Sequence, residues 1–266
     1  MPSWDEFSYQ KGKLAFIAQD YNTKKIITIL DNRRQSTIRN HFFKYSKEAR
    51  ESVRIVTMDM SGNYMPLVKL LFPNAKIVLD RFHIVQHMNR ALKQAHIQMM
   101  KAFEKKSLEY RILKYYWKLI QKDSRKLSPN AFYSRTFIET LTPKECLDKI
   151  FEHVPQLEKY YNLYQLLFST YKKRTLKQFF GLVQEALPQL NHPFKTALTT
   201  FIRYQKYITN AIELPYSNAK LEATNKLIKD IKRNAFGYRN FDNFKKRIYL
   251  ALNFKNARTK IVLARD

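Results

Sequence analysis

Two apolar runs in the first third of the chain each end on an aspartate: VRIVTM runs into Asp59 and AKIVL into Asp80. A carboxylate at the tip of a strand is a hard oxygen ligand for a divalent cation, and in open α/β sheets sites form outside the carboxyl ends of strands. Asp5 sits on a proposed first strand, and Glu222 lies in the first turns of a helix beginning near residue 217. Along that helix Glu222, Asn225, Lys226, Lys229 and Arg233 recur at steps of three or four, so they share a face. The opposite stripe, Leu227, Ile228, Ile231 and Ala235, is apolar and is expected to lie on the sheet. Carboxylates for a metal, with cations beside them to hold a strand, suit chemistry on a phosphodiester.

Each residue also has a plainer reading. Asp59 before Ser-Gly-Asn is a good turn former, and Asp80 can cap the helix that starts at Arg81. Glu222 can be an ion-pair partner of Lys226. Asp5 and Glu6 are neighbours on a strand and face opposite sides, so only one can enter a site. His83 near a helix start is either a packing residue or, with Asp80, a support for the site. Asp80, His83 and His87 have helical spacing for zinc, but no fourth ligand is evident.

The elements that must position these residues follow from the pattern. Residues 13–21 and 24–32 read as a hairpin turning at Asn22 and Thr23. A helix follows to about residue 52, capped by Ser36 or Thr37. Then come the strand to Asp59, a helix over 64–72, a turn at Pro73 and Asn74, and the strand to Asp80. If residues 5–8 end a first strand, the order is β-β-β-α-β-α-β, an α/β layer structure. Only four residues precede Asp5, so that strand is expected to be curtailed and the chain to be a core lacking its N-terminal portion. From 81 to 216 the apolar period is helical throughout, including AFYSRTFIETL, and no strand is expected. Three segments result: 1–80 as the first part of a core, 81–216 as an all-helical insertion, and 217–266 as a helix and tail completing the core.

The chain carries 49 basic and 22 acidic residues among 266, for a net charge of +27. That excess implies a polyanionic partner, nucleic acid above membrane surface or acidic protein, because phosphate binding releases condensed counterions. The single Cys146 excludes an intramolecular disulfide and a cysteine zinc cluster, and fits a reducing cytosol. No apolar run reaches membrane-spanning length and the first ten residues lack a secretory pattern, so the expected location is cytoplasmic. Tyr115, Tyr116 and Trp117 read as core of the insertion, with stacking on an unpaired base as the alternative.

DEFSYQKG, VTMDMSGNY, the NAKIVLDRFHIVQHMNRAL segment and SNAKLEATNKLIKDIKRNAFGYRNFDNFKKRI together resemble the ISL-three family of bacterial insertion-sequence transposases, in the right order over nearly the whole chain. The resemblance implies a ribonuclease H-like core with an Asp-Asp-Glu triad and two divalent ions, Mg²⁺ or Mn²⁺. Carried over by motif, the triad and metal ligands are Asp5, Asp59 and Glu222. Asp80 and His83 belong to the family's DRFH motif as supports of the site. The implied reaction is cleavage of DNA and strand transfer by an enzyme associated with the bacterial nucleoid. Its implied partners are transposon ends and target DNA, with a homodimer or larger assembly on them. Phosphate contacts are expected from Arg81, Asn225, Lys226, Lys229, Lys232, Arg233 and Arg239. Family members normally carry a zinc-binding and helix-turn-helix region before the core, which this sequence does not contain. A remnant that only binds DNA, or a resolvase-type or RNA-directed nuclease on the same fold, are the competing readings.

Binding to duplex DNA is therefore expected to be salt-sensitive and weakly selective. With six phosphate contacts, log affinity against log salt should fall with a slope of about −5. Titrations of unrelated duplexes at several salt concentrations check this, and a flat slope would remove the nucleic-acid reading.

Overall fold

A computed structural model describes residues 1–60, 62–190 and 192–254. Ser61 of the MDMSGNY motif and residues 255–266 of the expected C-terminal segment lie outside the described residues. The chain divides into two compact units, Met1–Asp80 with Leu214–Asp266, and Arg81–Glu213.

The first unit is built on five strands. They are β1 (Pro2–Gln10), β2 (Lys13–Asp20), β3 (Ile26–Leu30), β4 (Ile55–Met58) and β5 (Lys76–Leu79). Between β3 and β4 lie α1 (Gln35–Phe42) and α2 (Lys47–Glu51), and between β4 and β5 lies α3 (Met65–Leu71). The sheet order is β3-β2-β1-β4-β5, antiparallel at β1/β2 and β2/β3 and parallel at β1/β4 and β4/β5. The first strand is not curtailed: β1 is nine residues long and pairs with β2 from Pro2 to Gln10. The single helix expected up to residue 52 is two, because Ser46 accepts from the Ala49 amide and caps a new helix. The start of α1 follows Arg34 and has no side-chain cap, rather than one from Ser36 or Thr37.

Alternation along β1 divides the core between the two faces of the sheet. Trp4, fully buried, meets Phe16, Phe42, Tyr64 and Phe72 at ring distances of 5.1–6.1 Å on the face covered by α1 and α3. Phe7, Ala15, Ile17, Ile26 and Ile29 pack on the other face against the helices that close this unit. A sheet buried on both sides reads as apolar runs rather than strict alternation, which is why VRIVTM and AKIVL stand out in sequence.

The second unit runs through α4 (Arg81–Lys101), α5 (Leu108–Ile120), β6 (Phe132–Ser134), β7 (Glu139–Leu141), α6 (Pro143–His153), α7 (Pro155–Lys172), α8 (Leu176–Ala186), α9 (His192–Arg203) and α10 (Gln205–Glu213). It is not all helical. Residues 131–141, expected as a helix, hold the β6–β7 hairpin with Phe132 opposite Leu141. Aromatic and β-branched residues dominate that stretch and favour strands. The Ser134 hydroxyl accepts from the Phe137 amide and Ile138 takes a left-handed φ of 59°, which turns the chain back. The first unit then resumes with α11 (Ala219–Asn234) and α12 (Phe241–Leu252). Among the described residues no helix is long and apolar enough to cross a membrane.

His41, His87 and His96 all have pKa values lowered from the ordinary imidazole value, in each case chiefly by burial. Neighbouring cations add to the lowering, while the His96 bond to the Leu113 carbonyl, 2.7 Å, opposes it. The unfolded chain therefore binds these protons more readily. Their contribution to stability is intact above the unfolded value of about 6.5 and is lost as pH falls through it towards the folded values. The melting temperature should drop between about pH 7.5 and pH 5.5, and His96→Gln should make that dependence shallower. Thermal melts across the range check it; an unchanged slope in the variant would overturn the assignment.

Candidate metal centre and its basic helix

Register places three aspartates at one level of the sheet. Ser3 of β1 pairs with Thr57 of β4, so Asp5 and Asp59 each stand two residues further along parallel neighbours. Met58 pairs with Leu79 of β5, so Asp59 and Asp80 are the next residues on their own strands. The Asp80 amide donates to the Met58 carbonyl at 2.8 Å, which continues the ladder to the aspartate itself. Adjacent strands lie roughly 4.8 Å apart, and side chains two residues apart share a face. Asp80 is 3% exposed, whereas Asp5 and Asp59 are half-buried.

The face they share is the one that α11 covers. Ser3, Thr57 and Asn218 form a buried hydroxyl–amide chain: Thr57 Oγ1 lies 2.7 Å from Ser3 Oγ and 3.0 Å from Asn218 Oδ1. Asn218, immediately before α11, also donates from Nδ2 to the Trp4 carbonyl at 3.2 Å. Further along, Gln19 Nε2 donates to Thr224 Oγ1 at 2.9 Å, and Asn225 Nδ2 donates to Asp5 Oδ2 at 2.7 Å. These bonds seat the first turns of α11 on the strands. They bring a carboxylate oxygen of Glu222 within 4.8 Å of one from Asp80.

Glu6 is on the other side of β1. It accepts from the Tyr64 hydroxyl and pairs with Arg33 at 2.9 Å. Burial and then the bond to Glu6 push the Tyr64 phenol well above its ordinary pKa, with the charges of Glu6 and Asp59 adding to it. Of the adjacent pair, Asp5 faces α11 and Glu6 does not.

The rotation of α11 differs from the sequence expectation. Leu221, Thr224, Asn225 and Ile228 face the sheet, while Leu227 is 51% exposed and Ala235 is exposed. Asn225 is thus not on a solvent-facing ridge with the lysines, because its amide is held by Asp5 and buried. The bases are dispersed. Lys226 and Lys229 are exposed, Lys232 Nζ reaches the Ser8 carbonyl at 3.4 Å, and Arg233 pairs with Asp230 at 2.9 Å. Arg239 is exposed in the loop before α12. In the second unit Arg81 opens α4 and donates from Nε to the Ala211 carbonyl at 2.7 Å, with His83 two residues after it. Asn218, Thr224 and Gln19 were not singled out in the sequence. The signal that marks Asn218 and Asn225 is their seven-residue spacing, on the same stripe as Leu221 and Ile228.

Carboxylate oxygens are hard ligands of the kind Mg²⁺ and Mn²⁺ take. Asp80 and Glu222 offer carboxylate oxygens within 4.8 Å of each other, a donor pair of the kind such a cation takes, since like charges this close otherwise repel.

No solved structure matches the chain. A curated Lactococcus lactis subsp. lactis protein titled "ATP-dependent protease" is 36% identical over 127 residues, 47% of this chain and 41% of that protein. A Bordetella parapertussis protein titled "Transposase for insertion sequence element IS1001" is 25% identical over 256 residues, 90% of this chain and 58% of that protein. The chain thus spans less than three-fifths of the length of either relative. The model of an ISL-three DDE family described as "Transposase" matches residues 3–248. That match takes in both aspartate-tipped strands, the second unit and α11, and the chain belongs to the ISL-three family of DDE transposases.

Proposed function

We propose that this chain is the catalytic part of a transposase that cuts and joins DNA with divalent metal. The observation that carries the reading is the convergence on one sheet face of Asp5, Asp59 and Asp80, with Glu222 contributed by α11. A mixed sheet in the order β3-β2-β1-β4-β5, with β2 alone running against its neighbours, supports a ribonuclease H-like core. In this reading the core comprises residues 1–80 and 217–266, and the segment between them is an insertion.

Asp5, Asp59 and Glu222 would hold the metal, and Asp80 would share its charge with Glu222. When bound, Mg²⁺ or Mn²⁺ supplies Lewis-acid activation of the attacking oxygen and neutralises charge on the leaving one. The residues of the chain do the positioning. Asn225 fixes Oδ2 of Asp5 by a charge-assisted bond, while the Glu6 amide donates to Oδ1, so the orientation of the carboxylate is set from both the helix and its own strand. Lys226 and Lys229, exposed on the same helix as Glu222, would hold phosphates beside the carboxylates. Transposon ends and target DNA are the partners in this reading, with assembly of two or more copies on them. The reading follows the family whose model matches residues 3–248 rather than the protease title of a relative matched over 47% of the chain.

Metal should stabilise the protein. At ten times its dissociation constant a bound cation adds about 1.4 kcal/mol, or roughly 2–4 °C for a chain of this size. Asp59→Asn should abolish the rise produced by Mg²⁺ or Mn²⁺ in thermal melts. Equal stabilisation of wild type and variant would sink the site.

Glu222→Gln should separate chemistry from binding. Metal-dependent nicking of supercoiled plasmid should fall by at least about a hundredfold, in line with loss of about 2.7 kcal/mol of transition-state stabilisation. DNA affinity in filter binding should hold or rise slightly. Lys229→Ala should weaken binding by about 1 kcal/mol and reduce the salt slope by about 1. A wild-type chain that binds but never nicks would leave the DNA-binding role alone standing.

A further inference from the structure

The end of α11 breaks a local rule with no packing return. The Gly237 amide donates to the Lys232 carbonyl at 2.9 Å and the Phe236 amide to the Arg233 carbonyl at 3.0 Å. This pair of bonds is the Schellman ending of a helix, whose first residue past the cap adopts the left-handed conformation and is usually glycine. Here that residue is Phe236, at φ 51°, and the glycine comes one place later at φ 98°. A left-handed φ strains any residue that carries a Cβ. The Phe236 ring gains nothing in return, since it is fully exposed. Strain of this kind clusters where a side chain is being presented to something.

The backbone around it is held firmly from behind. Tyr238 stacks on the buried Phe244 at 4.6 Å, and Gln10 Nε2 lies 3.4 Å from the carbonyls of Tyr238 and Arg239. Phe236 borders an open depression of about 500 Å³ that Tyr9, Lys11, Lys232 and Arg239 also line. An exposed aromatic ring among cations, with no acidic residue lining the depression among the described residues, is the chemistry of a base-stacking platform: the ring takes the face of a base and the cations take the phosphates.

We propose that Phe236 stacks on an unpaired or unstacked base of the DNA, with Lys11 and Arg239 contacting the flanking phosphates. The proposal rests on the reading of this chain as acting on DNA. Phe236 lies fourteen positions beyond Glu222 along α11 and its cap, a rise of roughly 20 Å, which corresponds to about six nucleotides along a strand. The contact thus falls away from the reacting phosphodiester and would hold the duplex kinked or opened at a fixed distance from it.

The test compares two duplexes of equal length, one fully paired and one carrying a single unpaired 2-aminopurine. Wild type should bind the second more tightly and quench its fluorescence. Phe236→Ala should lose the quenching and about tenfold in affinity for that duplex, with affinity for the paired one unchanged. Phe236→Trp should keep both signals. Phe236→Gly, which relieves the strained φ, should melt a few degrees higher while behaving as Phe236→Ala towards DNA. If wild type binds neither duplex, the DNA reading itself fails. If it binds both and Phe236→Ala still quenches and binds as wild type does, the proposal is overturned with the DNA reading intact. A lower melting temperature for Phe236→Gly with weakened binding of both duplexes alike would overturn it too, by showing a packing role. So would a change confined to self-association in sedimentation, which would make the loop a protein interface.

Discussion

The seam of polar bonds between α11 and the sheet carries the most consequence in the first unit, because hydrophobic contact alone does not fix how a helix is rotated. Burial of Leu221 and Ile228 is favourable in proportion to area and nearly indifferent to small rotations. Asn218, Thr224 and Asn225 are not indifferent. Each is buried, and a buried amide or hydroxyl without its partner costs about 1–3 kcal/mol. A rotation by one residue, 100° for a 3.6-residue turn, would break the bonds to Trp4, Thr57, Gln19 and Asp5 together. It would also turn Glu222 away from Asp80. The direction of one carboxylate is thus set by four hydrogen bonds that Asn218, Thr224 and Asn225 make to the strands.

The same logic governs β1. Asp5 and Glu6 are consecutive carboxylates, and the pleat sends them to opposite faces. On its own face Glu6 is fully engaged, with Tyr64 donating to one oxygen and Arg33 pairing with the other. The Trp4 ring cluster beside it leaves no room for a polar cleft, since Trp4, Phe16, Phe42 and Phe72 are all buried. Asp5 meets an asparagine instead, whose amide can orient a carboxylate without neutralising its charge. A lysine or arginine at 225 would satisfy Asp5 and compete with any cation for it. An amide keeps the carboxylate available.

Net charge overstates the surface available to phosphate. Of the bases expected to contact DNA, Arg81 is tied to a carbonyl at the end of α10, Arg233 to Asp230, and Lys232 to the Ser8 carbonyl. Lys226 and Lys229 remain exposed. Exposed pairs such as Arg233–Asp230 contribute about 0.2–1 kcal/mol and are screened by salt, so Arg233 can exchange its partner for a phosphate. Arg81, with its Nε committed to the helix end, has less freedom to do so.

Much of this protein is legible in its sequence wherever the signal is local. The two aspartate-tipped runs, the hairpin at Asn22 and Thr23, and the helical character of residues 143–213 follow from period and turn chemistry, which act over a few residues, although the stretch expected as one helix over 192–212 is two, α9 and α10. The charge of +27 and the carboxylate at 222 on a basic helix are likewise read directly. Tertiary structure decided what depends on partners distant in the chain. Asn225 reads as one more exposed polar residue until Asp5, 220 residues away, is placed opposite it. Residues 131–141 carry a workable helical period, yet pair as strands once Phe132 meets Leu141. The full exposure of Phe236 is likewise decided at the end of α11, by the left-handed turn it takes there. Periodicity records which faces are apolar, and long-range hydrogen bonds, which no short window contains, select the rotation and register that make those faces meet.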